Sequence, residues 1–218
     1  MSTIREERPG GVSKQVKSRL PRYYRYLKEL LNLGIYRISS RALADMMNVT
    51  ASQIRQDLNC FGGFGQQGYG YNVKYLYSQI SEILGVNEKF KAILVGVGNL
   101  GKAVASSGMF ASRGIDLVAL FDVSPDIVGK TVAGKAVRDS ATLSEFLKEN
   151  RVELAVLTLT PPAALQVAEE LKSMGIRGIW NFTDVELPAD ESISVMNVHM
   201  ADGLMQLCFD VRNRRIDG

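Results

Sequence analysis

The sequence predicts an α/β protein in two parts: a small helical head that carries a glycine-rich hairpin, and a larger body in which strands and helices alternate. Two observations lead to this prediction. Residues 1–75 contain 12 Lys or Arg and 5 Asp or Glu, a net charge of +7, whereas residues 76–218 contain 14 and 18, a net charge of −4. From about residue 90 onward, short apolar runs alternate with amphipathic segments, as in a parallel sheet covered by helices. A chain of 218 residues is long enough for two domains.

The composition argues against a membrane protein, a secreted protein and a disulfide-rich protein. Hydrophobic residues make up 46% and charged residues 22% of the chain, which is ordinary for a globular protein. No apolar run reaches the roughly 18 residues of a membrane span, and the first residues lack the apolar segment of a signal peptide. Two cysteines, Cys60 and Cys208, are too few for a disulfide framework. We therefore expect a cytoplasmic protein with reduced thiols and with no membrane or metal partner.

The stretch SRLPRYYRYLKELLNLG (residues 18–34) predicts the first helix of the head. Ser18 is expected to cap this helix, and Pro21 to lie in its first turn, where the missing N–H would be unpaired anyway. Gly34 is expected to end it. The side chains expected to be buried recur at helical spacing: Tyr23, Tyr26, Leu27, Leu30 and Leu31.

The segment SSRALADMMNVTASQIRQDLNC (residues 39–60) predicts two short helices joined by a tight turn. Ser39 or Ser40 is expected to cap the first helix, and Thr50 or Ser52 the second. Two such helices make a helix-turn-helix. The side chains expected to face inward again share helical spacing: Leu43, Ala44, Met47, Ile54 and Leu58.

The second of these helices carries polar side chains that suit the major groove of DNA. Arg can fork onto guanine and Gln onto adenine, and the positive charge of the head suits a polyanion. A helical hairpin whose polar face only meets water is the alternative at this point. The residues predicted to contact DNA are Ser39, Ser40, Ser52, Gln53, Arg55, Gln56 and Asn59.

Five glycines alternate with aromatic residues in FGGFGQQGYGYNV (residues 61–73). Glycine permits tight turns, and aromatic or β-branched residues suit short strands, here Phe64, Tyr69, Tyr71 and Val73. A hairpin directly after a helix-turn-helix is a wing, which adds Gln66, Gln67 and Tyr69 to the predicted DNA contacts. KYLYSQISEILG is expected to form a closing helix. We therefore predict a winged-helix DNA-binding domain over residues 1–85, whose closing helix buries Leu76, Ile80, Ile83 and Leu84.

The stretch VGVGNLGKAV (residues 95–104) follows an apolar strand, Ala92 to Val95, and leads into a helix over Lys102 to Ser106. Its G-x-G-x-x-G pattern is typical of a dinucleotide site. The first glycine makes the turn, the second lets the backbone approach a pyrophosphate, and the third packs the helix on the strand. The predicted binding residues in this loop are Gly96, Val97, Gly98, Asn99, Leu100 and Gly101.

A second strand, GIDLVALFD, ends at Asp122, 21 residues after Gly101. An acid at about this distance accepts hydrogen bonds from the ribose hydroxyls of the adenosine half. The following residues, starting with Val123, include no arginine for a 2′-phosphate, which favours NAD(H) over NADP(H). Asp122 and Val123 are therefore predicted to bind the cofactor. An ordinary surface aspartate at a strand end is the alternative.

The alternation continues with TLSEFLKENR, VELAVLTLT, PPAALQVAEELKSMG and IRGIWNF, which predict helix, strand, helix and strand. Such repeats indicate a doubly wound parallel sheet of the Rossmann type over residues 86–198. The loops after its strands, which include Thr158, Thr160 and Asn181-Phe182, lie on the ligand face, and we predict that both threonines bind the cofactor. The single histidine, His199, is expected to be structural, and no catalytic residue is predicted. A small NAD-dependent oxidoreductase with a regulatory head is a less favoured alternative.

Taken together, both parts resemble the Rex family of bacterial redox-sensing transcriptional repressors over nearly the whole chain. The resemblance lies in FGGFGQQGYGYNV after the helix-turn-helix, in ILVGVGNLGKAVA with FDVSPDIVGK, and in GIRGIWNF with VMNVHMADGL. It implies a homodimer that binds A/T-rich palindromic operators of fermentation and respiration genes. It also implies that NADH lowers DNA affinity and that NAD+ competes for the site. The family's C-terminal helix, here about Ala201 to Asn213 within residues 199–218, is swapped into the partner subunit.

Several positions depart from the family pattern. Gln56 stands where a lysine usually follows the arginine of the recognition helix, and the wing tip Gln66-Gln67 is uncharged, so we expect a weaker salt dependence of DNA binding. The family links nicotinamide to DNA through an arginine, a tyrosine and an aspartate, and these positions hold Arg25, Ser107 and His199. A diverged member with a different or absent dinucleotide response is therefore an alternative. Cys60 is either a small buried hydrophobe, the ordinary role of a free cysteine, or a thiol sensor.

Overall fold

The structure is a computed structural model, and it describes residues 13–60, 65–66 and 70–216. The chain divides into two compact units, an N-terminal unit (Met1–Asn87) and a C-terminal unit (Glu88–Gly218). The predicted domain limits, 1–85, 86–198 and 199–218, stay a prediction. Among the described residues, no helix combines the length and apolar character that a bilayer crossing needs.

The N-terminal unit contains a helix-turn-helix and a small antiparallel sheet, which has one strand before and two strands after the two helices. In this sheet β3 lies between β1 and β2 and is antiparallel to both. A helix-turn-helix whose second helix is followed in the chain by such a hairpin, here β2 and β3, is a winged helix, as predicted. Its elements are α1 (Lys14–Asn32), β1 (Arg37–Ile38), α2 (Ser40–Met47), α3 (Ala51–Asn59), β2 (Gly65–Gln66), β3 (Gly70–Asn72) and α4 (Val73–Ile83).

Local side-chain bonds fix the turn of the helix-turn-helix. Ser39 caps α2 by accepting a hydrogen bond from the Ala42 N–H at 3.0 Å, and Thr50 caps α3 by accepting one from the Gln53 N–H at 3.1 Å. Between them, Asn48 adopts the left-handed conformation with φ of 51°, which Asn tolerates better than most residues. Of the capping residues considered in the sequence analysis, the structure has Ser39 rather than Ser40, and Thr50 rather than Ser52.

One buried cluster unites the helices of this unit, and the predicted inward residues of α2 and α3 all belong to it. Ile83, which we expected to be buried, is 40% exposed, because the residue one turn beyond Ile80 on the inner face is Leu84. Val73 begins α4 rather than extending a strand. The cluster comprises Val16, Leu20, Tyr23, Tyr24, Leu27, Leu30, Ile38, Leu43, Ala44, Met47, Ile54, Leu58, Tyr71, Val73, Leu76 and Ile80.

Helix α1 begins earlier than the sequence pattern indicated. Its cap is Ser13, whose hydroxyl accepts from the Val16 N–H at 3.3 Å, so Ser18 is not the cap and Pro21 lies inside the helix. An internal proline removes one backbone hydrogen bond, but the added turn buries Val16 and Leu20 on the inner face. The helix ends as predicted before Gly34, which has φ of +73°.

The C-terminal unit is a seven-stranded sheet in the order β10-β9-β8-β4-β5-β7-β6. All neighbouring strands are parallel except β6, which is antiparallel to β7. Its elements are β4 (Phe90–Val95), α5 (Asn99–Ser106), β5 (Ile115–Asp122), β6 (Thr131–Val132), β7 (Lys135–Asp139), α6 (Leu143–Glu149), β8 (Leu154–Leu157), α7 (Pro161–Ser173), β9 (Gly178–Asn181), β10 (Ser194–Asn197) and α8 (Met200–Ile216).

This sheet is doubly wound, because consecutive residues of β4 enter different cores. Ile93 and Val95 pack with residues of α6 and α7 on one face, whereas Ala92 and Leu94 pack with residues of α5 on the other. The strand order reverses between β4 and β8, and dinucleotides bind at the carboxyl ends of the strands at such a reversal. The predicted Rossmann-type sheet is therefore confirmed, and β6, β7 and β10 are strands that the sequence analysis missed.

Candidate dinucleotide and DNA sites

The glycine loop after β4 has the geometry that a dinucleotide needs. Gly96 has φ of +98°, and a Cβ there would lie 2.5 Å from the Thr158 carbonyl oxygen; a Cβ on Gly101 would lie 2.0 Å from the Gly96 carbonyl oxygen. At Gly98, by contrast, a Cβ would meet no described atom within 4 Å. The first and third glycines are thus required by packing, whereas the second borders open space.

Helix α5 begins directly beyond that open space. Its N-cap is Gly98, and within the described residues no side chain caps the helix. The first N–H groups of a helix have no intrahelical partner, and together with the helix dipole they favour a negatively charged group. The loop therefore offers an anion such as a pyrophosphate both room and donors.

Asp122, at the end of β5, has a second role that the sequence did not reveal. Its Oδ2 accepts a hydrogen bond from the Val97 N–H at 2.5 Å, and its Oδ1 accepts one from the Ser124 N–H at 2.8 Å. Each carboxylate oxygen retains a lone pair for a ribose hydroxyl. Val123 beside it is 77% exposed. Asp122 thus holds the glycine loop in place and still presents acceptor capacity to a ligand.

The loop after β8 lies against the glycine loop. The Thr158 hydroxyl donates to the Gly96 carbonyl oxygen, and the Thr158 N–H donates to the Val95 carbonyl oxygen at 3.0 Å. Thr160 is exposed and forms the N-cap of α7. The structure therefore brings Thr158 into contact with the glycine loop, whereas Thr160 lies at the start of helix α7.

Side-chain amides at the ends of β9 and β10, the buried Asn181 and the half-buried Asn197, form a hydrogen-bonded cluster that the sequence analysis did not anticipate. Asn181, with 0% exposure, donates through Nδ2 to the Val185 carbonyl oxygen at 2.6 Å and to Asn197 Oδ1 at 2.8 Å. Its Oδ1 accepts from the N–H and the hydroxyl of Thr183 at 3.0 and 2.7 Å. Asn197 also bonds both backbone groups of Leu187, at 3.1 and 3.0 Å.

On helix α3, four of the residues predicted to contact DNA are exposed: Ser52, Arg55, Gln56 and Asn59. Arg55 donates to the Ser40 hydroxyl at 3.2 Å, which places two predicted residues side by side. Gln53 differs, because it is half-buried and its Nε2 donates to Asp57 Oδ1 at 2.8 Å. Its amide is therefore engaged inside the unit.

Asp57 is a buried charge on the inner face of α3, with an exposure of 1%. Arg19 donates to both of its oxygens at 2.6 and 2.8 Å, and the Tyr23 hydroxyl donates to Oδ2 at 2.9 Å. Burial alone would raise the pKa of this carboxyl group, but the hydrogen bonds from Arg19, Gln53 and Tyr23 outweigh it and hold the pKa below its ordinary value. Burial, followed by the bond to Asp57, raises the pKa of Tyr23. Asp57 thus ties α3 to α1.

Some residues predicted to bind DNA or to belong to the switch network lie outside the two candidate sites or outside the described residues. Gln67 and Tyr69 lie outside the described residues, and of Gln66 only the backbone in β2 is described. Arg25 is exposed on α1, with its guanidinium carbon 5.4 Å from the Tyr26 ring centre.

The other two residues predicted to belong to the switch network, Ser107 and His199, form hydrogen bonds to residues that are near them in the sequence. The Ser107 hydroxyl donates to the Val104 carbonyl oxygen at 2.7 Å, and His199 Nε2 lies 3.3 Å from Glu186 Oε2. Cys60 is exposed, so its expected role as a small buried hydrophobe is wrong. The described residues contain no group of three or more side chains suited to a metal ion.

A winged helix and a dinucleotide-type sheet in one chain define a class of DNA-binding regulators that carry a ligand-binding domain. Residues 11–59 match the family described as "Putative DNA-binding protein N-terminus", and residues 87–185 match the family "CoA binding domain". The chain belongs to the Rex family of redox-sensing transcriptional repressors. The family predicted from the sequence is therefore confirmed.

Two relatives illustrate the extent of this similarity. The chain is 45% identical over 205 residues to the redox-sensing transcriptional repressor Rex of Clostridium botulinum (strain Alaska E43 / Type E3), which covers 94% of this chain and 98% of the relative. It is 46% identical over 207 residues to Rex of Caldicellulosiruptor saccharolyticus, and the matched region covers 95% of this chain and 94% of the relative.

Two solved structures of the Rex-family repressor RSP have the same fold. The crystal structure of RSP in complex with beta-NAD+ and operator DNA matches with a TM-score of 0.89 and 41% identity, over 95% of this chain and 96% of that one. The crystal structure of RSP in complex with beta-NADH matches with a TM-score of 0.87 and 38% identity, over 95% and 98%. The fold class is therefore shared across the whole two-unit chain.

Proposed function

We propose that this chain is a homodimeric transcriptional repressor that holds operator DNA through its winged helix and releases it when NADH occupies the glycine-loop site. The observation that carries the proposal is the open space at Gly98, bordered by the N-terminus of α5 and by Asp122. NAD(H) fits these groups, since its pyrophosphate suits the helix N-terminus and its adenosine ribose suits the carboxylate. The relative RSP has been solved with beta-NAD+ and with beta-NADH.

The DNA partner we propose is double-stranded and carries an A/T-rich palindromic operator. Support comes from the exposed Arg55, Gln56 and Asn59 on α3, since arginine and amide side chains pair with base edges in the major groove. RSP was solved with operator DNA. A palindrome suits a two-fold dimer, because each winged helix then reads one half-site.

The proposed dimer rests on helix α8. Every described side chain of its 17 residues is exposed, whereas most of the stability of a helix in a protein comes from packing one of its faces against another element. We infer that a second copy of the chain covers it, as a swapped helix would be covered. The exposed apolar side chains, each between 44% and 65% accessible, are Met200, Leu204, Met205, Leu207, Phe209 and Val211.

The sheet of the C-terminal unit also has a bare apolar face. A groove of about 270 Å³ lies there, lined by residues that include Phe110, Trp180 and Met196. Burial of apolar surface drives most protein association. Together, the bare groove and α8 support self-association of this unit.

We further propose that the protein acts in the cytoplasm as a regulator that binds the dinucleotide without turning it over. His199 is the single histidine of the chain; its side chain is half-buried, and its Nε2 lies 3.3 Å from the exposed carboxylate of Glu186. The expected result is that NADH absorbance stays constant when the protein is incubated with small carbonyl compounds. A steady loss of absorbance that the Gly98→Val variant lacks would favour an oxidoreductase instead.

The decisive test measures operator affinity by fluorescence anisotropy on an A/T-rich palindrome, with no ligand, with NAD+ and with NADH. We expect NADH alone to weaken binding, by about 5- to 150-fold if the coupling is of ordinary size. The matched control is Gly98→Val, because a side chain there meets open space and should exclude the dinucleotide without disturbing the fold. If the wild-type chain binds the operator equally in all three conditions, the sensing function is wrong, and a diverged member without a dinucleotide response remains.

A further inference from the structure

The amides of the buried Asn181 and the half-buried Asn197, at the ends of β9 and β10, lie where the second half of the dinucleotide would reach. Asp122 marks the adenosine side, beyond β5, and the glycine loop follows β4. A dinucleotide crosses the point where strand order reverses, here from β4 to β8. Its nicotinamide half would therefore lie over the carboxyl ends of β8 and β9, where Asn181 is the last residue of β9.

These amides are not needed to hold the two strands together. Four consecutive residue pairs, from Ser194 with Gly178 to Asn197 with Asn181, already join β10 to β9 in parallel register. The amide bonds instead reach the segment that follows β9, at Thr183, Val185 and Leu187. These bonds therefore fix the loop that follows the carboxyl end of β9.

The same cluster also fixes the start of α8. The Val198 N–H donates to the Asn181 carbonyl oxygen at 2.8 Å, and α8 begins at Met200, three residues after Asn197. Asn197 accepts from Asn181 and Leu187 and donates back to Leu187. One set of bonds therefore connects the loop after β9 to the first residues of the helix that carries the exposed apolar side chains.

We propose that the Asn181–Asn197 pair is a positioning element that links the nicotinamide end of the pocket to the root of α8, so that the form of nicotinamide bound alters the placement of the dimer helix. The proposal rests on the proposed function. Directional hydrogen bonds suit this task better than apolar contacts, because a buried amide left without partners costs free energy. A shift of the loop must therefore be accompanied by a shift of β10's end.

The test compares Asn197→Ala with the matched control Asn150→Ala in the full chain. Asn150 also donates an amide hydrogen bond, to the Phe146 carbonyl oxygen at 3.0 Å, but at the end of α6. We expect Asn197→Ala to retain NADH binding, measured by NADH fluorescence. The ratio of operator affinities without and with NADH should fall by about 2- to 30-fold, a usual range for mutations that modulate coupling. Asn150→Ala should keep the wild-type ratio.

A second variant protects the test against misfolding. Thr183→Val removes the 2.7 Å hydroxyl bond to Asn181 at nearly constant volume, and it should reduce the same ratio by a smaller factor. A wild-type ratio in both Asn197→Ala and Thr183→Val, with NADH still bound, would overturn the proposal. An equal fall in Asn150→Ala would overturn it too, because the effect would then be general destabilisation.

Hydrogen exchange separates this proposal from the proposed function. In ligand-free protein, Asn197→Ala should speed amide exchange in the first turn of α8, and Asn150→Ala should not. If the wild-type chain ignores NADH but α8 exchange rises as expected, the sensing function fails while the positional link stands. If α8 exchange does not change, the positional link is wrong, whatever NADH does to DNA binding.

Discussion

Replacing Asp57 by Asn tests whether the buried charge on the inner face of α3 stabilises the winged helix. Asn keeps the volume and one acceptor oxygen, so a bond from Tyr23 or Gln53 can survive. Its NH2 group would face the Arg19 guanidinium, donor against donor, in place of one of the two bonds at 2.6 and 2.8 Å. The substitution therefore removes the charge pair while leaving the packing of α1 and α3 nearly unchanged.

The expected cost follows from the exposure of the two partners. Removing one partner of a buried ion pair costs about 3–5 kcal/mol, and a hydrogen bond to a charged group contributes about 1.5–3 kcal/mol. Asp57 is buried, but the Arg19 side chain is 20% exposed and can turn toward water. We therefore expect the lower end of the range, about 3 kcal/mol.

Native-state hydrogen exchange of α1 and α3 amides measures this cost in the full chain, because it reports the free energy of opening region by region. Fluorescence of the single tryptophan, Trp180, reports the C-terminal unit and should be unchanged. The control Asp45→Asn makes the same substitution at an exposed position of α2 and should cost less than about 0.5 kcal/mol.

A double-mutant cycle with Arg19→Gln completes the experiment. If the two residues stabilise each other, Arg19→Gln should cost much less in the Asp57→Asn background, with a coupling of about 2 kcal/mol. A coupling below about 0.5 kcal/mol, or an Asp57→Asn cost no larger than that of Asp45→Asn, would refute the reasoning.

Three further predictions concern pH, the glycine loop and base recognition. Because the pKa of Asp57 lies below its ordinary value of 3.8, its stabilisation is complete above that pH and is lost as the pH falls through the folded-state pKa. Exchange measured from about pH 5 to pH 2.5 should therefore show less acid destabilisation in Asp57→Asn; parallel curves would contradict this. Gly96→Val should lower the midpoint of Trp180 fluorescence unfolding, because its Cβ would lie 2.5 Å from the Thr158 carbonyl oxygen, whereas Gly98→Val should not; equal midpoints would contradict the loop geometry. Gln53→Ala should weaken binding to all operators alike, whereas Gln56→Ala should change the preference among operators with single base-pair changes by about 1–3 kcal/mol; the reverse pattern would make Gln53 the base reader.

Local patterns predicted most elements of both units because their residues carry the signal nearby. The stripe of Leu43, Ala44 and Met47 in α2 and the glycine loop before α5 depend on neighbours in sequence, and the structure has both. The hairpin of β6 and β7 was missed because its strands are short and Ala133 takes a positive φ of 49°, which sequence patterns rarely indicate. β10 was missed because its residues alternate between exposed and half-buried, which weakens the apolar signal.

The polar clusters were beyond sequence analysis for a different reason. Asp57 pairs with Arg19 across 38 residues and with Tyr23 across 34, and Asn181 pairs with Asn197 across 16. From the sequence, an acidic residue between Gln56 and Leu58, on a helix with many polar side chains, would be expected to face water. Gln53 lies one turn away on the same helix, but only the fold brings Arg19 and Tyr23 to the carboxylate, so the sequence did not reveal the donors that compensate for its burial. Gln53, predicted to contact DNA, is held by the same cluster, and its contact with DNA stays a prediction.

The Asp57 cluster also limits how a ligand could release DNA. Turning α3 alone would break the bonds from Arg19 and Tyr23 to a carboxylate that is 1% exposed, at a cost of about 3–5 kcal/mol. Allosteric coupling between two ligand sites typically amounts to about 1–3 kcal/mol, and a ligand shifts an equilibrium only by its differential affinity for the two states. The cost of rearranging α3 therefore exceeds what dinucleotide binding ordinarily supplies. This comparison favours a mechanism in which the winged helix leaves its operator as an intact unit, with α3 still fixed to α1.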